Sequence, residues 1–171
     1  MRALVLGGTR YVGKRLVEKL LAGGHEVTVA SSGKTLVNFS RPVEKLIIDR
    51  SNESSMRNAF DGQMWDIAYD QIGFNAQDAN ILVSALDEKI DHLVFTSSMS
   101  VYDDGLMLSE SDFTAEIYEE NPQNKNPYQE GKRLAEKEYT TQLSFSVAEM
   151  LRPCLFVHQQ TIFPDDRVDK K

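Results

Sequence analysis

The chain has 171 residues, of which 41% are hydrophobic and 26% charged, and its formal net charge is −7. This composition is typical of one soluble globular domain; no apolar run approaches the ~18–20 residues of a membrane span, and no segment after Met1 resembles a signal peptide, so we expect a cytoplasmic protein. One cysteine and scattered histidines predict neither a disulfide nor a metal site, and the acidic balance favours a small-molecule partner over nucleic acid.

Strand-like and helix-like segments alternate along the chain. Six short apolar runs predict strands at residues 3–6, 27–30, 46–48, 67–69, 93–96 and 145–151. Apolar residues at helical spacing predict helices after the first, fourth and fifth runs, and a polar segment after the third run, capped by Ser51 or Asn52, predicts a helix that reaches Phe60. The acidic stretch at 103–120 has no sustained period and is predicted to be a solvated loop. The alternation predicts an α/β fold with a parallel sheet of about six strands, covered on both faces.

A glycine-rich turn follows the first strand: Gly7, Gly8, Thr9, Arg10, Tyr11, Val12 and Gly13. Glycines here let the backbone turn sharply and present N–H groups at a helix N-terminus, where a pyrophosphate can bind. The position between a strand and a helix favours a dinucleotide-binding turn. A plain tight turn without a ligand is the alternative.

Two further signals concern proton transfer. Tyr128 and Lys132 are four residues apart, so they share one face of the predicted last helix, and the lysine charge would favour a phenolate. Ser98 follows the fifth strand, at the sheet edge where open α/β sheets bind ligands. Each signal also has a simpler explanation, because the Tyr–Lys spacing can arise by chance and the hydroxyl can satisfy a strand-end turn.

Taken together, these segments resemble the extended or atypical short-chain dehydrogenase/reductases, the NAD-dependent epimerase/dehydratase family. The resemblance rests on the glycine-rich turn, Ser-x-x-Val-Tyr at 98–102, Tyr-x-x-x-Lys at 128–132 and Leu-Arg-Pro at 151–153, which would lie beside the nicotinamide. It implies a doubly wound, NAD(P)-binding Rossmann domain over 1–157, a divergent or truncated tail at 158–171, and a substrate domain that is truncated or absent. It also implies a homodimer formed through the helices that flank the fifth strand.

The resemblance assigns roles to individual residues. Tyr128 would be the general acid/base, Lys132 would support its phenolate and bind the nicotinamide ribose, and Ser98 would bind the substrate oxygen. Asp49, with Arg50 beside it, resembles the aspartate that family members place at the adenine amino group; an exposed cap is the alternative. Hydride would pass to or from NAD or NADP while Tyr128 moves the proton.

Two positions depart from the family pattern. Arg10 replaces the middle glycine of the turn, so its side chain must swing aside or meet a phosphate itself. Ser31 ends the second strand where NAD-preferring members carry an acidic residue, and with Ser32, Lys34 and Arg10 nearby we expect NADP to be tolerated. The Gly-Gly-Thr-Arg turn is similar to that of atypical members, including chloroplast stem-loop-binding proteins that handle RNA.

The sequence therefore predicts an epimerase/dehydratase-like oxidoreductase domain that acts on a hydroxyl or carbonyl of a small molecule such as a nucleotide sugar. With most walls of the substrate pocket missing, it should bind a cofactor better than it selects a substrate. A second hypothesis is a regulatory protein that senses NAD(P) without chemistry, motivated by Arg10 and the missing substrate domain. RNA binding is a third, suggested by the turn and opposed by the acidic balance.

Overall fold

The computed structural model describes residues 1–142 and 147–153. Its strands are β1 (Arg2–Leu6), β2 (Glu26–Ser31), β3 (Glu44–Ile47), β4 (Trp65–Asp70), β5 (Ile90–Thr96) and β6 (Val147–Leu151). They form one sheet in the order β3-β2-β1-β4-β5-β6, and every neighbouring pair is parallel. The helices are α1 (Tyr11–Ala22), α2 (Glu53–Ala59), α3 (Ala76–Leu86) and α4 (Pro127–Gln142). The predicted parallel, Rossmann-like sheet is confirmed.

Strand β1 shows why helices cover both faces of the sheet. Successive residues of a strand point to opposite faces. Leu4 and Leu6 therefore belong to one buried cluster, which includes residues of α2, α3 and α4, whereas Ala3 and Val5 belong to a second cluster on α1. Both faces are apolar, so the strand is an unbroken hydrophobic run rather than an alternating one, as expected for a parallel sheet buried on both sides.

The predicted element boundaries agree with the structure to within a few residues. Asn52 caps α2 as predicted, because its side-chain oxygen accepts a hydrogen bond from the Ser55 amide at 3.0 Å. Of the predicted sixth strand, residues 145–146 lie outside the described residues, as do the end of the predicted domain at 154–157 and the predicted tail at 158–171. None of the helices in the described ranges is long and apolar enough to cross a membrane.

The prediction of a solvated loop at 103–120 is wrong in part. Its acidic side chains are exposed, but Phe113 and Ala115 are buried together with Val101. The segment is fastened to α4, where Arg133 Nη2 donates to Asp103 Oδ1 at 2.7 Å and the guanidinium lies 5.4 Å from the Phe113 ring. The anchoring groups come from a distant helix, so the segment shows no period of its own.

Candidate functional site

The carboxyl edge of the sheet carries a cavity of about 760 Å³. The chain leaves β1 toward β2 on one side and leaves β4 toward β5 on the other, which opens a crevice between β1 and β4 of the kind in which α/β sheets bind ligands. The cavity is lined by residues that follow β1, β2, β3 and β4: Gly7, Thr9, Arg10, Ser31, Ser32, Lys34, Thr35, Ile47, Ile48, Asp49, Arg50, Ser55 and Ile72. Its volume lies in the range of small-molecule sites.

The glycine turn depends on two residues without a side chain. Gly7 has φ +82°, a conformation that side chains disfavour, and a Cβ at Gly13 would overlap the Gly7 carbonyl oxygen. The first turn of α1 therefore packs directly on the end of β1. Of the other predicted turn residues, Thr9 and Arg10 line the cavity; Gly8 is buried, and Tyr11 and Val12 are exposed outside the cavity lining.

Arg10 swings away from the turn. It is the N-cap residue of α1, but its side chain makes no capping hydrogen bond; instead Nε donates to Thr35 Oγ1 at 3.1 Å, across the cavity mouth. The Arg10 side chain therefore lies beside the β2–β3 connection, and its predicted contact with a phosphate stays a prediction. The first N–H groups of α1 receive no side-chain acceptor from Arg10, which leaves them for a ligand.

Asp49 and Arg50 follow β3 but behave differently. Asp49 is exposed in the cavity, and hydrogen bonds from the hydroxyl and amide of Ser51 lower the pKa of its carboxyl, with a further contribution from Lys34. The guanidinium of Arg50 is instead fixed in the interior: Nη2 pairs with Asp70 Oδ2 at 2.7 Å and donates to Tyr139 Oη at 3.1 Å. The Arg50 charge is therefore already balanced.

Asp70 is the centre of a buried network that the sequence analysis missed. The Tyr139 hydroxyl donates to Asp70 Oδ2 at 2.5 Å, and the Ile72 amide donates to Oδ1 at 3.0 Å. Burial, with Asp70 adding to it, raises the pKa of Tyr139 well above its ordinary value, so the phenol stays protonated and donates. The position of Asp70, directly after the predicted strand 67–69, could have been noticed in the sequence. Its side-chain hydrogen-bond partners could not, because they come from distant parts of the chain.

Lys132 lies beside this network with its ammonium buried. Nζ donates to the carbonyls of Gly73 at 2.7 Å and Thr96 at 2.9 Å, and the residue is only 2% exposed. Burial lowers the pKa of Lys132 to about 8, although nearby carboxylates, Asp70 first among them, oppose this effect. The lysine is thus mainly charged at pH 7. The two bonds use two of its three N–H groups, so one remains for a further acceptor.

Tyr128 and Ser98 stand at the same edge of the sheet. The Tyr128 ring is 5.9 Å from Lys132 Nζ and 6.5 Å from the Phe74 ring, and the residue is 44% exposed. Ser98 is buried at the end of β5, where its Oγ accepts a hydrogen bond from the Ser100 amide at 3.2 Å. These three predicted catalytic residues lie outside the cavity lining, but Ile72 lines the cavity and the adjacent Gly73 accepts from Lys132, so the two regions meet there.

The Leu-Arg-Pro segment has a structural role in this chain. Arg152 pairs with the buried carboxylate of Glu136 through Nε at 3.0 Å and Nη2 at 2.6 Å, and Nη1 donates to the Tyr102 hydroxyl at 3.1 Å. These bonds join the end of β6 to α4 and to the acidic segment. The expected place of this segment beside a nicotinamide stays a prediction. In the described ranges, no group of three or more His, Cys, Asp or Glu residues could hold a metal ion.

The fold and the crevice define a Rossmann-type dinucleotide-binding class of protein. The model of the NAD dependent epimerase/dehydratase family matches residues 3–148, and the chain belongs to this family. Among curated proteins, it is 27% identical over 114 residues to the chloroplast stem-loop binding protein of 41 kDa b of Arabidopsis thaliana, a match over 59% of this chain and 30% of that protein.

Solved structures agree on the fold. A UDP-glucose 4-epimerase superposes with a TM-score of 0.71 at 22% identity, over 89% of this chain and 51% of its own. The UDP-glucose 4-epimerase of Thermus thermophilus, solved in complex with NAD, superposes with a TM-score of 0.67 at 22% identity, over 86% of this chain and 54% of its own. The chain spans about half the length of these structures and less than a third of the curated relative.

Proposed function

We propose that the chain is the cofactor-binding and proton-transfer part of an NAD(P)-dependent oxidoreductase that acts on a hydroxyl or carbonyl of a small molecule such as a nucleotide sugar. The observation that carries the proposal is Lys132, a buried ammonium fixed by two backbone carbonyls next to a half-exposed tyrosine. Burial of an ammonium without a carboxylate bound to it costs free energy, so packing alone does not account for it. Family membership supports the cofactor.

The residues at the sheet edge fit a dinucleotide. The turn at Gly7 opens onto the N-terminus of α1, where Arg10 makes no capping hydrogen bond and a pyrophosphate would accept from the first N–H groups. The exposed Asp49 carboxylate is an acceptor for an adenine amino group, and Lys132 has an N–H left for a ribose hydroxyl. When bound, the nicotinamide ring supplies or takes up a hydride.

The chain itself would move the proton. Tyr128 is half-exposed at the sheet edge, where its hydroxyl would give a proton to a substrate carbonyl oxygen or take one from a hydroxyl. Ser98 uses its Oγ as an acceptor for the Ser100 amide, so its O–H can donate to the same substrate oxygen. Tyr128 is thus proposed as the acid/base and Ser98 as the group that orients the substrate.

Tyr128→Phe tests this assignment in the longest natural protein that contains the chain. With UDP-glucose as the probe, we expect turnover to fall by ~10²–10⁴-fold, while cofactor affinity changes less than about twofold. Tyr69→Phe is the matched control, because Tyr69 packs against the α1 core cluster. Turnover in Tyr128→Phe equal to that of the control would refute the role. Cofactor binding with no turnover of any hydroxyl substrate would favour a sensing protein.

RNA binding is a second candidate, favoured by the similarity to the chloroplast stem-loop binding protein. An exposed Arg10 in the glycine turn supplies a phosphate-binding group, although the net charge of −7 opposes a broad electrostatic surface. A gel-shift titration with a stem-loop RNA at low and high salt tests it. A salt-sensitive shift that weakens in Arg10→Gln supports RNA binding, and absence of a shift at low salt removes this candidate.

A further inference from the structure

Two cationic side chains line the cavity near the end of β2. Arg10 comes from the glycine turn and Lys34 from the connection after β2, and both line the cavity. Arg10 uses only Nε for its bond to Thr35 Oγ1, so the terminal nitrogens of its guanidinium keep their donors. Within the described part of the chain, Lys34 makes no hydrogen bond or ion pair, and both residues are exposed. Neither charge is neutralised by a bound carboxylate.

Hydroxyl side chains line the same cavity. Ser31 ends β2 and lines the cavity together with Ser32. The Ser31 Oγ accepts from the Gly33 amide at 3.4 Å, so its O–H remains available as a donor. An Asp or Glu at this position would accept hydrogen bonds from ribose hydroxyls and repel a phosphate, whereas the neutral serine does not repel a phosphate and can donate a hydrogen bond to it.

The charges in the cavity leave a positive excess at this end. Among the described residues, Asp49 is the only carboxylate in the lining, and its Oδ1 already accepts from the Ser51 amide and hydroxyl. Arg50 is balanced by Asp70, which leaves Arg10 and Lys34 against one carboxylate. A phosphate monoester brings a charge of about −1.5 to −2 at pH 7 and several acceptor oxygens.

An apolar surface stands next to the serines. Ile47 of β3 is the ladder partner of Ser31, and it is 75% exposed in the cavity. An exposed isoleucine that faces a cavity is a suitable contact for a nucleotide base. A base on Ile47 would place its ribose near Ser31, with Arg10 and Lys34 beside the ribose hydroxyls.

From this arrangement we infer that the β2 end of the cavity holds a 2′-phosphate on the adenosine ribose, so that the chain binds NADP(H) more tightly than NAD(H). The inference rests on the proposed function and names the cofactor of that site. Arg10 and Lys34 are the phosphate ligands, and Ser31 adds a neutral donor.

Isothermal titration of the chain with four ligands tests the inference without any turnover. NADPH should bind at least about tenfold more tightly than NADH, about 1.4 kcal/mol. The second pair of ligands tests where on the nucleotide the phosphate is recognised. The compound 2′,5′-ADP carries its second phosphate on the ribose 2′ position, whereas ADP carries it in a diphosphate. Tighter binding of 2′,5′-ADP locates the phosphate site, and equal or tighter binding of ADP would show that the cations serve the pyrophosphate and would overturn the inference.

Variants separate the outcomes further. Lys34→Gln should weaken NADPH about fivefold or more and NADH less than twofold, whereas Lys89→Gln, which removes a charge at the opposite edge before β5, should change neither. Ser31→Asp should reverse the preference and keep NADH binding, which also shows that the variant is folded. A preference for NADH in the unaltered chain, or no effect of Ser31→Asp on NADPH, contradicts the inference. Binding of no dinucleotide at all counts instead against the proposed function.

Discussion

Lys132→Met tests whether burial of the Lys132 ammonium at the sheet edge lowers the free energy of unfolding. Burial lowers the pKa of Lys132 from 10.5 to about 8, and this difference corresponds to about 3 kcal/mol at 1.36 kcal/mol per pH unit. Between these two values the unfolded chain binds the proton and the folded chain does not. The free energy of unfolding therefore rises with pH across this window, and the full cost of the charge is present below pH 8.

Methionine has a similar length and does not titrate, so it removes this dependence. We expect the free energy of unfolding of the unaltered chain, minus that of Lys132→Met, to rise by up to about 3 kcal/mol between pH 8 and 10.5. At pH 7 the two proteins should be similar, because relief of the buried charge offsets the loss of two hydrogen bonds to the Gly73 and Thr96 carbonyls.

Urea unfolding followed by the fluorescence of Trp65, a buried residue and the only tryptophan, measures this difference at each pH. Groups that titrate in both proteins cancel in the subtraction. Lys89→Met is the control, because it removes the charge of a lysine that lies before β5, away from the buried site. A flat difference for Lys132→Met would refute the reasoning, since it would mean that the lysine has the same proton affinity in the folded and unfolded chain.

Two further predictions concern the turn and the buried ion pair. Gly13→Ala places a Cβ against the Gly7 carbonyl, so the turn must shift. Dinucleotide binding measured by calorimetry should be lost, while circular dichroism should show a folded chain. Unchanged binding would contradict the packing of Gly13 on Gly7. Glu136→Gln leaves Arg152 without its buried carboxylate and should destabilise the chain by about 3–5 kcal/mol, whereas Asp103→Asn, at an exposed carboxylate, should cost less than about 1 kcal/mol in the same urea assay.

The fold could be predicted from the sequence because its signals are local. Six apolar runs separated by helical stripes require a sheet covered on both faces, and Gly7 and Gly13 mark a turn after the first strand that a side chain would obstruct. The structure of the acidic segment was harder to predict, since Phe113 and Ala115 are buried by contacts with α4, which follows the segment in the chain. The spacing of apolar residues within the segment does not indicate contacts with a helix elsewhere in the chain.

The candidate site could be predicted in part. The residue types at 98, 128 and 132 are the basis of the proposed chemistry, but the Lys132 partners are backbone carbonyls, which every residue carries, so no side-chain pattern reveals them. Arg50 was expected at the cofactor because it follows Asp49. Its ion pair with Asp70 joins residues 20 positions apart, and its hydrogen bond to the Tyr139 hydroxyl reaches a residue 89 positions away, so tertiary packing alone determines that network.

A crystal structure of the chain grown with saturating NADPH tests the central proposal most directly. We expect density for one dinucleotide along the carboxyl edge of the sheet, with its adenosine in the cavity beside Lys34 and its nicotinamide ribose within hydrogen-bond distance of Lys132 Nζ. A cavity that stays empty at a saturating concentration, or a dinucleotide whose nicotinamide end lies away from Lys132 and Tyr128, would contradict the proposal.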